Sequence, residues 1–182
     1  MATKEVEIPE GVNVSYKGTL LDVTGPNGNI QKEFRSTLAD IKISDKKVVI
    51  SSSNDRRKSK AMVGTWVAHT RNMIASAENM WEAKLRIVYS HFPMKVNHDE
   101  QKGQVVISNF LGERSTRRAK TKGKVKVEIK GNDIIITGMN REEVGQTAAN
   151  IEQVARVRGY DKRIFQDGCH LVQKTKLVEK GE

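Results

Sequence analysis

The chain has 182 residues, of which 37% are apolar, 30% charged and 5% aromatic, and its net charge is +10. That length suits one ordinary domain or two small ones, with a modest core inside a charged shell. No apolar run nears the roughly 18–20 residues that span a bilayer. The opening MATKEVEIPEG lacks the basic-then-apolar order of a secretory leader, and the single Cys169 can form no internal disulfide. An intracellular protein is expected, with the sequon at Asn13 a chance match.

In chain order, Val12, Val14 and Tyr16 alternate, which predicts a strand with one buried face. GPNGN at 25–29 supplies Asn-Gly, a strong hairpin signal because both residues tolerate positive φ. The basic run DRRKSK (Arg56, Arg57, Lys58, Lys60) leads into a helical pattern. There Met62, Val63, Trp66, Thr70, Met73, Ile74 and Ala77 recur at three and four residues and predict one apolar stripe. Trp66 and the methionines are expected in the core, not in a cofactor box. The join falls near 79–84, giving units 1–82 and 83–182.

In the second unit Val105 and Ile107 predict a strand, followed by the charge-dense NFLGERSTRRAKTKGK. Glu113 alone opposes Arg114, Arg117, Arg118, Lys120, Lys122 and Lys124 there. The stretch is expected to form one hairpin between GQVVISNF and KVKVEIKG. In one extended strand Arg118, Lys120, Lys122, Lys124 and Lys126 would share a face, opposite Val125, Val127 and Ile129. KGND at 130–133 predicts a tight turn. Asn140 is a good helix cap with Glu142 and Glu143 in the positive first turn, and Val144, Ala148, Ile151, Val154 and Ala155 supply the stripe. RVRGYDKRIFQDG then adds Arg156, Arg158, Lys162 and Arg163, and a basic tail adds Lys174, Lys176 and Lys180.

The two halves repeat. Pro9, Val12, Asn13 and Gly28 fall on Pro93, Val96, Asn97 and Gly112, and Leu21 and Val23 fall on Val105 and Ile107. After two residues of extra length, KVVIS from Lys47 falls on DIIIT from Asp133. The predicted fold class is therefore α+β: two tandem duplicated units, each an antiparallel β-sheet with a helix packed on one face. The copies differ in charge. Residues 1–100 carry 15 Lys+Arg against 12 Asp+Glu, a net of +3, whereas 101–182 carry 17 against 10, a net of +7.

Little in the chain points to catalysis. His69, His91, His98 and His170 lack paired metal spacing, and no phosphate-binding glycine loop or nucleophile elbow is present. His69, at the edge of the first helix stripe, is expected to be structural. Neither a cofactor nor a small-molecule substrate is expected. Clustered Arg and Lys point instead to a polyanion, bound through phosphates in a salt-dependent way. Scarce aromatics argue against a base-stacking platform and favour recognition of folded duplex RNA by shape and backbone.

VYSHFPMKVN, ISNFLGE and RVRGYDKRIFQDG, with IPEGV and GPNG near the start, closely resemble the archaeal and eukaryotic form of the universal large-subunit ribosomal protein L-six family. The likeness runs along essentially the whole chain, and the length suits the archaeal side. The resemblance implies a cytoplasmic, non-enzymatic ribosomal protein, binding large-subunit ribosomal RNA chiefly through its second unit. It further implies a place near the sarcin-ricin loop and stalk base, among neighbouring ribosomal proteins and where translation GTPases dock. The contacts carried over by position lie in the GERSTRR stretch, the DKRIFQDG segment and the basic tail. Two other possibilities are a free DNA- or RNA-binding architectural protein, resting on charge alone, and an RNA-modifying enzyme with a hidden site.

Overall fold

The computed structural model describes residues 2–44, 46–90 and 92–178. The chain divides into two compact units, Met1–Asn79 and Met80–Glu182, each with its own core.

The first unit comprises β1 (Thr3–Glu7), β2 (Asn13–Lys17), β3 (Leu20–Gly25), β4 (Gly28–Glu33), β5 (Ala39–Ser44), β6 (Lys47–Ser52) and α1 (Arg57–Glu78). They form two antiparallel sheets, ordered β1-β6-β5 and β2-β3-β4, and α1 packs against strands of both. The buried side of α1 is the stripe its spacing predicts: Val63, Trp66, Thr70, Met73, Ile74 and Ala77 are buried. Leu21, Val23, Val48 and Ile50 meet it from the sheets. Trp66 lies edge-on to Phe34, with ring centroids 5.2 Å apart. Burying each large apolar side chain contributes roughly 1.5–3 kcal/mol, so this stripe holds the helix. His69 is half-buried, with Nδ1 3.1 Å from Lys32 Nζ and its ring beside Phe34.

The β3–β4 hairpin forms where predicted, but not through positive φ at both Asn27 and Gly28. Gly25 pairs with Gly28, so Pro26 and Asn27 make the loop, and the positive φ falls on Gly28 (135°). The turn is seated on the end of α1. Asn27 N–H donates to Ala77 O at 3.1 Å, and a Cβ on Gly25 would come within 2.7 Å of Ala77 Cβ.

The second unit begins with β7 (Trp81–Val88), thus taking in Trp81 and Glu82, and continues with β8 (Lys95–Asp99) and β9 (Gln104–Ser108). A 3-10 turn at Phe110–Gly112 precedes β10 (Arg117–Lys120), β11 (Val125–Lys130), β12 (Asp133–Gly138), α2 (Arg141–Val154) and β13 (Gly168–Leu177). The sheets are β10-β9-β8 and β11-β12-β7-β13. The duplication is plain in this plan: β8-β9-β10 repeats β2-β3-β4, and β7-β12-β11 repeats β1-β6-β5. The addition is β13, paired along the outer edge of β7. What the sequence presents as a basic tail is thus, over Gly168–Leu177, an edge strand.

Several local expectations hold. Lys130 pairs with Asp133 around a two-residue turn, with Gly131 at φ 60°. Asn140 caps α2, its side chain accepting from Glu142 N–H at 2.9 Å. Val144, Ala148 and Ile151 are buried, as is Ala155 just beyond the helix.

One does not. Residues 118–126 are not a single strand, and NFLGERSTRRAKTKGK is not one hairpin. β10 ends at Lys120 in one sheet and β11 starts at Val125 in the other, with Gly123 between them at φ 65°. That left-handed geometry breaks an extended strand and suits glycine, which has no Cβ. Among the described residues no helix is long and apolar enough to cross a membrane.

Candidate nucleic-acid interface

The stretch between β10 and β11 is laid along α2 by three hydrogen bonds at regular intervals. Asn150 Nδ2 donates to Lys120 O at 2.9 Å, Lys122 N–H to Thr147 Oγ1 at 3.0 Å, and Lys124 N–H to Glu143 Oε2 at 3.2 Å. Positions 143, 147 and 150 lie on one side of a helix of 3.6 residues per turn. Two extended residues advance about 6.6 Å and one helical turn about 5.4 Å, so the two climb nearly in step. The backbone is tied down while the side chains of Lys120, Lys122 and Lys124 stay exposed. A cationic row survives the loss of the continuous strand, built on a helix edge instead.

Arg117 behaves differently from its neighbours. Its Nε and Nη2 donate to the Glu113 carboxylate at 2.9 and 2.6 Å, and Nη1 donates to the carbonyls of Val154 and Arg156 at 2.8 and 3.0 Å. The guanidinium also lies 3.9 Å from the centroid of the buried Phe110 ring. The side chain is 21% exposed. It joins three pieces: the 3-10 turn, β10 and the C-terminal end of α2. Unsatisfied carbonyls at a helix C-terminus attract a cation, so this arrangement closes α2 as well. The Arg117 hydrogen bonds hold the Glu113 carboxyl below its ordinary value of 4.5, against the opposing effect of burial.

Around this clasp lie exposed cations. Arg118 and Arg158 line one cleft with Glu113, Ser115, Arg117 and Val154. Arg156 and Lys162 line a second depression beyond α2. Arg114 is exposed on the loop after the 3-10 turn, and Arg163 lies two residues after Asp161, whose Oδ1 accepts its backbone N–H at 2.9 Å. Apart from Arg117 and Lys126, none of the cations named for this unit forms an ion pair among the described residues. Lys126, by contrast, pairs with Glu128 at 2.7 Å, which raises the lysine and lowers the carboxyl from their ordinary values.

Lys174 and Lys176 stand exposed on β13, whose Thr175 approaches Gly145 in the first half of α2. They are not part of either cleft. In the first unit, Lys60 pairs with Asp55 at 3.0 Å, while Arg56, Arg57 and Lys58 are exposed at the start of α1. Lys180 and His91 lie outside the described residues.

Among the described residues no group of three or more His, Cys, Asp and Glu is arranged to hold a metal ion. Burial pushes the Cys169 thiol up to about 12, which keeps it protonated and inert at neutral pH.

Comparison with known proteins accounts for the repeat. The family model described as ribosomal protein L6 matches residues 8–75 and 92–168, one stretch in each unit. The chain belongs to the ribosomal protein L6 family. A relative from Methanosarcina mazei is 43% identical over 171 residues, covering 94% of this chain and 96% of its own length. Relatives from Methanobrevibacter smithii and Methanothrix thermoacetophila are each 47% identical, across 94% of this chain and 95% and 96% of theirs. All three are named large ribosomal subunit protein uL6. The L6 family is one of structural proteins, not enzymes.

In this L6 chain sequence reasoning missed the uncharged residues that hold the cations in place: Phe110, Thr147 and Asn150. Thr147 had a signal, since it lies next to Ala148 on the buried stripe yet carries a hydroxyl. Most buried hydroxyls are hydrogen-bonded, and Thr147 is fully buried.

Proposed function

We propose that the chain is a structural protein of the large ribosomal subunit, cytoplasmic with the ribosome, that binds ribosomal RNA chiefly through its second unit. Family membership supports the class and the partner. The observation that carries the surface is the gathering of exposed cations around α2: Lys120, Lys122 and Lys124 along its side, Arg118 and Arg158 in one cleft, Arg156 and Lys162 in the next. Arg114, Arg163, Lys174 and Lys176 extend the basic area. Arg117, also expected from sequence to touch RNA, is better read as the residue that holds this surface in shape, because its donors are engaged within the protein.

Phosphates arriving on such a surface relieve like-charge repulsion and release counterions, so binding strengthens as salt falls. The finer placement is near the sarcin-ricin loop and stalk base, beside neighbouring ribosomal proteins and the docking area of translation GTPases. It rests on the resemblance to the family. Crosslinking of intact large subunits containing this protein, with residue-level mapping, tests both parts. The expected crosslinks join residues 114–124 and 156–163 to ribosomal RNA; their absence, or sedimentation of the protein away from large subunits, would count against the proposal.

A further inference from the structure

The second depression combines three chemistries that an unpaired nucleotide needs, and duplex contacts alone leave them without a role. It encloses about 650 Å³, within the roughly 300–1,000 Å³ of small-ligand clefts. Its floor is apolar: Ala155, Val157 and Cys169 are buried there. Phe165 forms a wall, and the Tyr160 ring lies beside it, centroids 4.8 Å apart and planes tilted by 48°. Both backbone N–H groups of Ile164 and Phe165 donate to Asp161 O, at 3.1 and 2.9 Å, which fixes the turn presenting that wall. At the rim Gln153 and Gln166 can each donate and accept, while Arg156 and Lys162 supply positive charge.

Of the two acids in the lining, Asp167 is buried and its Oδ1 accepts from Ser90 N–H at 2.9 Å. Glu152 is exposed at the rim, where a carboxylate can accept from an exocyclic amine.

We propose that this depression holds one unstacked nucleotide of the bound RNA, its base against Phe165 and its phosphate between Arg156 and Lys162. The proposal rests on the ribosomal RNA reading above. A base supplies the flat apolar face for the aromatic wall, the polar edge for the glutamines and the anion for the cations. An apolar protein side chain would satisfy only the floor and leave the rim charges uncompensated. The low overall aromatic content fits this economy: one ring serves one nucleotide, whereas a platform for a single strand uses several.

The test uses the full chain and a transcript of large-subunit ribosomal RNA, probed with reagents that modify unpaired base edges. With wild type, an unpaired nucleotide becomes protected. Phe165→Leu, which keeps apolar volume, weakens binding about tenfold, the loss expected for base–aromatic stacking, and removes that protection. Its salt slope stays unchanged because no phosphate contact is lost. Gln153→Ala, at an exposed helix position, removes the same protection without touching the core. Lys162→Ala lowers the salt slope by about one.

Unchanged affinity and protection in Phe165→Leu and Gln153→Ala would overturn the proposal, as would crosslinks from this depression to a protein in assembled subunits. Failure of the wild type to bind the transcript would instead overturn the ribosomal RNA reading beneath it, and this proposal with it.

Discussion

Arg117 and Glu113 are joined through two hydrogen bonds, 2.9 and 2.6 Å long, four residues apart across the loop that enters β10. The other side of the same guanidinium holds the end of α2 through Val154 O and Arg156 O. One planar group with donors pointing in fixed directions can do both, whereas an ammonium cannot reproduce that fork. Arg117→Ala is expected to destabilise the second unit by about 3 kcal/mol, and Arg117→Lys by about half of that. Equilibrium unfolding in urea measures both; equal stability of Arg117→Lys and wild type would contradict the clasp.

The same pair sets a pH dependence. The Glu113 carboxyl is held below its ordinary 4.5 in the folded chain, so the unfolded chain takes up a proton first as pH falls. The stabilisation is fully present above the ordinary glutamate value and is lost as pH drops through the lower folded value. Thermal unfolding of wild type and Glu113→Gln should differ most at neutral pH, with the gap closing as pH falls below the ordinary glutamate value. A gap that widens toward acid would contradict the assignment.

The row of lysines depends on acceptors in α2. Thr147→Val removes the hydroxyl that receives Lys122 N–H and is expected to cost about 1 kcal/mol in stability. It removes no charge, so the number of phosphate contacts and the salt slope should hardly change while affinity falls. Gly123→Ala attacks the same stretch by another route. Its φ of 65° disfavours a Cβ, and that Cβ would meet the Glu143 carboxylate, so a loss of about 1–2 kcal/mol is expected. Chemical denaturation alongside a filter-binding salt series checks both variants.

In the first unit, α1 starts with Arg57, Lys58 and Lys60 and has no acid in its first turn. Cations at the positive end of a helix are unfavourable, so Lys58→Glu should raise stability by about 0.3–1 kcal/mol. A lowered melting temperature would show that these cations serve the fold in some other way.

How much was legible follows from the range of each interaction. The stripes of α1 and α2, the Asn140 cap and the Lys130–Asp133 turn depend on residues close in sequence, and periodicity or turn chemistry exposes them. The pairing of halves was legible because Val12 and Val96, or Leu21 and Val105, kept their places. The break in the strand over 118–126 was not, because alternation continues through it. What stops it is Gly123 together with Glu143, Thr147 and Asn150, about 20 to 30 residues further on. Arg117 looked like one more cation of its run for the same reason: its carbonyl partners are 37 and 39 residues away. The edge strand β13 was hidden by its exposed lysines, which suit a solvated tail and an unpaired sheet edge equally well.

The exposed cations around α2 are proposed to bind ribosomal RNA phosphates. The deciding measurement is the salt dependence of binding to a large-subunit ribosomal RNA transcript, comparing wild type with a chain in which Arg118, Lys120, Lys122 and Lys124 are all Ala. Each phosphate contact removed should lower the slope of log affinity against log salt by about one, with affinity falling broadly across RNA sequences. A slope and affinity identical to wild type would contradict the claim.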